Sequence, residues 1–169
     1  VTPVVLALAG SVFGASQWLA VGKWHRAGFV WIAASAIALA VGMTLGIVVV
    51  EVAGRAMTGE QVRLVNIDPA GRSLGLAVIG GLAGLAVGIA QRLALRPWGS
   101  APGFWILLCA AAFAVGLPGG ALVADLLPGG IRSAPRFATF LGVAGLIVGA
   151  LTVNAASRIA QVLTVQRAA

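Results

Sequence analysis

The stretches "GSVFGASQWLAV" (residues 10–21) and "GLAVGIAQRLAL" (residues 84–95) place two glycines, then a glutamine, at the same spacing inside long apolar runs. Glycines four residues apart fall on one helix face, and a lone amide in such a run needs a partner on another helix. These runs set the frame for the rest of the chain. Five apolar segments are long enough to cross about 30 Å of hydrocarbon, which takes about 20 helical residues. They run over residues 1–21, 27–50, 74–95, 102–126 and 137–157, and the chain is read as an all-α integral membrane protein.

Composition agrees with that reading. Sixty per cent of the 169 residues are hydrophobic, 9% are charged, and 24 are glycine. A water-soluble fold of this size cannot hide so much apolar surface, whereas membrane helices use glycine for close backbone approach. The net charge of +7 comes from 11 Lys and Arg scattered singly between apolar runs, with no basic cluster or aromatic ladder suited to nucleic acid. The bilayer is the expected partner. The only cysteine, Cys109, lies in an apolar run and reads as a packing residue. Residues 1–20 lack the basic start of a secretory signal and recur later in the chain, so they are read as a true span whose upstream turns precede Val1.

Compared with itself at a shift of 74, the chain aligns without a gap. Gly10, Gly14, Gln17, Trp24, Trp31, Gly42 and Gly46 match Gly84, Gly88, Gln91, Trp98, Trp105, Gly116 and Gly120, and Glu51 falls opposite Asp125. Two Trp pairs, a Gln pair and an acid pair in one frame point to a tandem two-helix hairpin duplication. The organisation expected is repeat one over 1–55, an extramembrane loop over 51–73, repeat two over 74–129, and a fifth helix over 137–157. Within the loop, "EQVRLVNID" mixes β-branched and polar residues and could form a short strand. The fifth helix repeats the glycine pair as Gly145 and Gly149 but carries Thr152 where Gln would stand, so it reads as a half repeat or as an unrelated helix. Repeats of two spans share one orientation, unlike the inverted repeats of many transporters.

Each set of polar residues has two readings. Gln17 and Gln91 are interhelical clamps beside interfacial tryptophans (Trp18, Trp24, Trp31, Trp98, Trp105), or they line a polar pathway with Asn154. Glu51 and Asp125, at the ends of the second and fourth spans, are solvated helix ends paired with Arg55 or Arg132, or a coupled cation or proton site. Gly80 joins Gly84 and Gly88, so every helix carries a GxxxG-type face and every helix is expected to pack closely. Pro118 predicts a kink in the fourth span. His25, between Trp24 and Arg26, reads as an interfacial histidine. No P-loop, HExxH, GxSxG or metal-spaced Cys and His pattern is present, so neither catalysis nor a cofactor is expected.

The pattern G-x-x-x-G-x-x-Q-W-L, followed by a Trp and a second Gly-rich helix, resembles a group of small repeat-built bacterial membrane proteins of uncharacterised function. That resemblance covers roughly residues 6–126, with Arg92 in place of Trp in the second copy and Thr152 in place of Gln in the last. It implies a helix-hairpin architecture in a bacterial inner membrane and no activity. All four acids lie on one side, and the acid-free side with short basic loops is read as cytoplasmic, together with the C-terminus. The function expected is a non-catalytic subunit that packs against itself or other membrane proteins. The alternative is a small transporter, channel or substrate-binding transport subunit with a pathway near Gln17, Gln91, Glu51 and Asp125.

Overall fold

A computed structural model describes residues 3–21, 28–59, 68–96, 103–127 and 136–152. These residues form five helices: α1 (Pro3–Val21), α2 (Gly28–Thr58), α3 (Pro69–Leu95), α4 (Phe104–Asp125) and α5 (Arg136–Thr152). Three of them, α2, α3 and α4, are long and apolar enough to cross a membrane. Large apolar side chains such as Leu8, Phe29, Ile37, Leu107, Leu122 and Leu146 point outward, while Gln17, Ser35, Gln91 and Thr152 are fully buried. An apolar exterior around polar interior groups is the arrangement lipid favours, and it is consistent with an integral membrane protein in contact with the bilayer.

Consecutive helices pack on one another through small residues. The buried face of α2 runs Trp31, Ser35, Ala38, Leu39, Gly42, Gly46, one or two residues per turn. On α4 the buried face reads Trp105, Cys109, Ala112, Phe113, Gly116, Gly120. A Cβ built on Gly10 would lie 2.8 Å from the Ala36 Cα, and one on Gly42 would lie 2.6 Å from the Ala83 Cα, so α1–α2 and α2–α3 meet backbone to backbone. Gly84 meets the Cys109 carbonyl in the same way, which joins α3 to α4. Between these seams, Ala38, Leu39, Ala83, Val87, Ala112, Phe113 and Val148 form the apolar core, with Phe13 edge-on to Phe113 at 5.1 Å.

Two helix ends differ from the sequence reading. Helix α2 continues through Glu51 to Thr58, because Gly54 within "EVAGRAMT" stays helical and the chain turns only at Gly59, whose φ of 73° and N–H bond to the Arg55 carbonyl end the helix. At 31 residues it is about 46 Å long. Helix α3 starts at Pro69 rather than at Leu74: the Asp68 carboxylate caps it by accepting from the Ala70 and Gly71 N–H groups at 3.1 Å, and proline suits the first turn. The connection shrinks to residues 59–68, and most of the expected strand there lies outside the described residues. Pro118 lies inside α4, which continues past it to Asp125.

Candidate functional site

All five helices contribute to one buried hydrogen-bond network near the C-terminal ends of α1 and α3. Gln91 Nε2 donates to Gln17 Oε1 at 2.7 Å and to Ser35 Oγ at 2.9 Å. Trp105 Nε1 donates to Gln91 Oε1 at 3.0 Å, and Gln17 Nε2 donates to Thr152 Oγ1 at 3.0 Å. The two hydroxyls pass their own protons to the helices that carry them, Ser35 to the Trp31 carbonyl and Thr152 to the Val148 carbonyl, each at 2.8 Å. Cys109 Sγ lies 3.9 Å from Gln91 Oε1 as a weak further donor.

Chemistry fixes the direction of every bond. An indole N–H can only donate, so Gln91 must turn its oxygen to Trp105 and its amino group to Gln17 and Ser35. The Thr152 proton is committed to its backbone, so Gln17 must turn its amino group to Thr152, which leaves its oxygen for Gln91. Both Gln91 donors are used, and the buried amides bond to each other. Of the residues expected to form a polar site, the structure brings Gln17 and Gln91 together. Asn154 lies outside the described residues.

The acids lie at the far end. Asp125 forms an ion pair with Arg72 at the start of α3, and Arg136 approaches it at 3.6 Å while donating to the Ala124 and Asp125 carbonyls at the end of α4. Arg72 and Gln91 are 19 positions apart on α3, roughly 28 Å along its axis, so the amides and Asp125 do not share a site. Glu51 is an exposed residue within α2, not a helix end, and no ion pair with Arg55 occurs among the described residues.

Two belt tryptophans are placed differently from the sequence reading. Trp105 is fully buried and Trp31 nearly so, with ring centroids 6.1 Å apart, because the start of α4 turns the Trp105 indole onto the Gln91 amide instead of toward headgroups. The Trp31 Nε1 has no partner among the described residues. Trp24, Trp98 and His25 lie outside the described residues, and Trp18 is described in its backbone only. Gly10, Gly14, Gly42, Gly46, Gly80, Gly84, Gly88, Gly116 and Gly120 all meet a neighbouring helix, whereas Gly145 and Gly149 meet nothing within 4 Å among the described residues. Among the described residues, the expected close packing at every GxxxG pair is therefore not seen on α5, whose Gly145/Gly149 face meets no neighbouring helix.

Sequence reasoning missed Ser35 as a member of the network. Its signal was available, because Ser35 stands 74 positions before Cys109 and both are small residues that face the Gln91 amide. An apolar groove of about 540 Å³ opens between α1 and α5. Among the described residues, no group of three His, Cys, Asp or Glu side chains is placed to hold a metal ion. No family model, curated protein or solved structure matches the chain.

Proposed function

We propose that the chain is a non-catalytic integral membrane subunit, built by tandem duplication of a helix hairpin plus a fifth helix, that assembles with other membrane proteins. All five helices cross the bilayer, a bacterial inner membrane, with the C-terminal tail in the cytoplasm. The observation that carries the reading is the network itself: Gln17 and Gln91, the residues best suited to line a polar pathway, are bonded to each other and to Ser35, Trp105 and Thr152. Amides held this way lock helices together and offer little to a passing solute. The duplication is supported by recurring contacts, since Gly10 meets Ser35 and Ala36 just as Gly84 meets Cys109 and Ala110.

Gentle extraction from the native membrane, followed by size measurement and mass spectrometry of what stays bound, tests the role. Co-purification with other membrane polypeptides at fixed stoichiometry is expected. A self-contained particle that carries a small solute, with flux in proteoliposomes abolished by Gln17→Ala and Gln91→Ala together, would overturn it in favour of transport.

A further inference from the structure

The α1–α2 and α3–α4 pairs pack alike but bond differently. A Cβ on Gly10 would lie 2.8 Å from the Ala36 Cα, and one on Gly14 would lie 3.1 Å from the Ile32 Cα. On Gly84 and Gly88 the matching distances, to the Ala110 and Ile106 Cα atoms, are both 2.7 Å. Helix α1 therefore meets α2 in the register in which α3 meets α4. That register carries Trp105 to Gln91, 14 positions before it, and the indole donates to the amide oxygen at 3.0 Å. Trp31 stands in the same relation to Gln17, yet it makes no such bond. Its side chain is buried, with the residue 8% exposed, and its Nε1 has no partner among the described residues. A buried donor left unpaired is costly, so an arrangement that pairs it has something to gain.

What separates the two pairs is α5. Gln17 Nε2 donates to Thr152 Oγ1, a bond that Gln91 has no counterpart for. Thr152 does not depend on it, because its own proton already goes to the Val148 carbonyl at 2.8 Å. Gln17 Oε1 accepts from Gln91 and has a second lone pair to offer. Turning that oxygen to Trp31 would exchange the Thr152 bond for an indole bond while keeping the one from Gln91. The network then holds four bonds between side chains in either arrangement, besides the weak one from Cys109. The unpaired N–H groups also balance: the Trp31 indole and one Gln17 hydrogen in the first, both Gln17 hydrogens in the second. Two arrangements matched in this way are close enough in free energy to exchange.

We infer that Gln17 is a two-position latch on α5: its amide either holds Thr152, as in the structure, or turns to Trp31 and releases α5 from α1. Release leaves α5 on α4, where Gly116 and Gly120 meet Val148, Ala144 and Phe140, and where Arg136 donates to the Ala124 and Asp125 carbonyls. The apolar groove between α1 and α5 already runs from Leu6 to Ser16 on one side and from Phe137 to Val148 on the other. Undoing the Thr152 bond lets it continue past Gln17. The latch acts within one chain and does not depend on the subunit role.

Nitrogen-15 spectra of the five tryptophan indoles, taken on the whole chain in lipid nanodiscs, read the latch, with Trp31→Phe assigning the Trp31 signal. Thr152→Val keeps the side-chain shape and removes the oxygen that holds Gln17. In that variant the Trp31 indole proton is expected to move downfield, toward the hydrogen-bonded Trp105 signal, and to exchange more slowly with water. Spin labels at Leu19→Cys on α1 and Leu151→Cys on α5, both exposed positions, should lie farther apart than in wild type; Cys109 is buried. Thr152→Ser keeps the hydroxyl and should match wild type in both measurements. Adding Gln17→Leu to Thr152→Val should return the Trp31 signal to its unbonded position. A Trp31 signal that stays put in Thr152→Val would overturn the latch. So would one that shifts equally with Gln17→Leu present, or that shifts together with Trp105, since either would mean general loosening rather than a new bond to Gln17.

Discussion

The Gln91 amino group donates to the Gln17 carbonyl oxygen at 2.7 Å, between residues 74 positions apart that occupy matching places near the ends of α3 and α1. Each amide also bonds outward, Gln91 to α2 and α4 and Gln17 to α5, so one side-chain contact links all five helices. A network this connected should fail unevenly when its members are removed.

Gln91 is the hub. Gln91→Leu deletes three side-chain hydrogen bonds besides the weak one from Cys109, while Gln17→Leu deletes two. At about 0.6 kcal/mol for each interhelical bond in a membrane, the first should cost about 2 kcal/mol and the second about 1 kcal/mol. Unfolding free energies measured in bilayers or mild detergent check the ranking. Equal stability of Gln91→Leu and wild type would show that the network contributes nothing.

Cys109 reports on the same region from inside. Its thiol is buried against Gln91 Oε1, so it should resist maleimide in the folded protein. In Gln91→Ala the lost amide leaves a space beside Cys109, and labelling should accelerate relative to wild type. Mass spectrometry over a time course measures it. Rapid wild-type labelling would contradict the burial.

Much of this was legible in the residues, though unevenly. Long apolar runs declared the helices, and the shift of 74 paired Gln17 with Gln91 before any coordinates did. Which way each helix turns was not legible: a tryptophan at a helix start can serve a headgroup or a buried amide, and only packing sent Trp105 to Gln91. Ser35 and Thr152 carry no signal alone, because mid-helix hydroxyls ordinarily bond to their own backbone, as both also do here. The end of α2 was misplaced because Glu51 suggests water, whereas a helix stops where its backbone can turn, at Gly59. The "DP" at 68–69 was a readable start signal that the apolar-run criterion passed over.

The glycines should separate into two classes. At Gly84 a methyl group would collide with the Cys109 backbone carbonyl, which cannot swing away, so Gly84→Ala should destabilise by about 1–3 kcal/mol or force α3 from α4. At Gly145 the same change meets nothing within 4 Å among the described residues and gains helix propensity, worth up to about 1 kcal/mol in an isolated chain. Thermal unfolding of the two variants in the same detergent checks the contrast. Similar behaviour would mean that α5 packs on this face after all.

Asp125 and Glu51 should separate in the same manner at the other end of the bundle. Asp125 joins Arg72 of α3 to Arg136 of α5, with Asp125 about one-third exposed at 34%, whereas Glu51 has no ion-pair partner among the described residues. Ion pairs that water can reach are worth about 0–1 kcal/mol and weaken with salt. Asp125→Asn should therefore lower stability by less than about 1 kcal/mol at low ionic strength, with the difference fading as salt screens the pair. Glu51→Gln should match wild type throughout. Unfolding measured for both variants at low and high salt decides it: a large, salt-independent loss in Asp125→Asn would show that this carboxylate is shielded from water and couples α3, α4 and α5 more strongly than a surface bridge can.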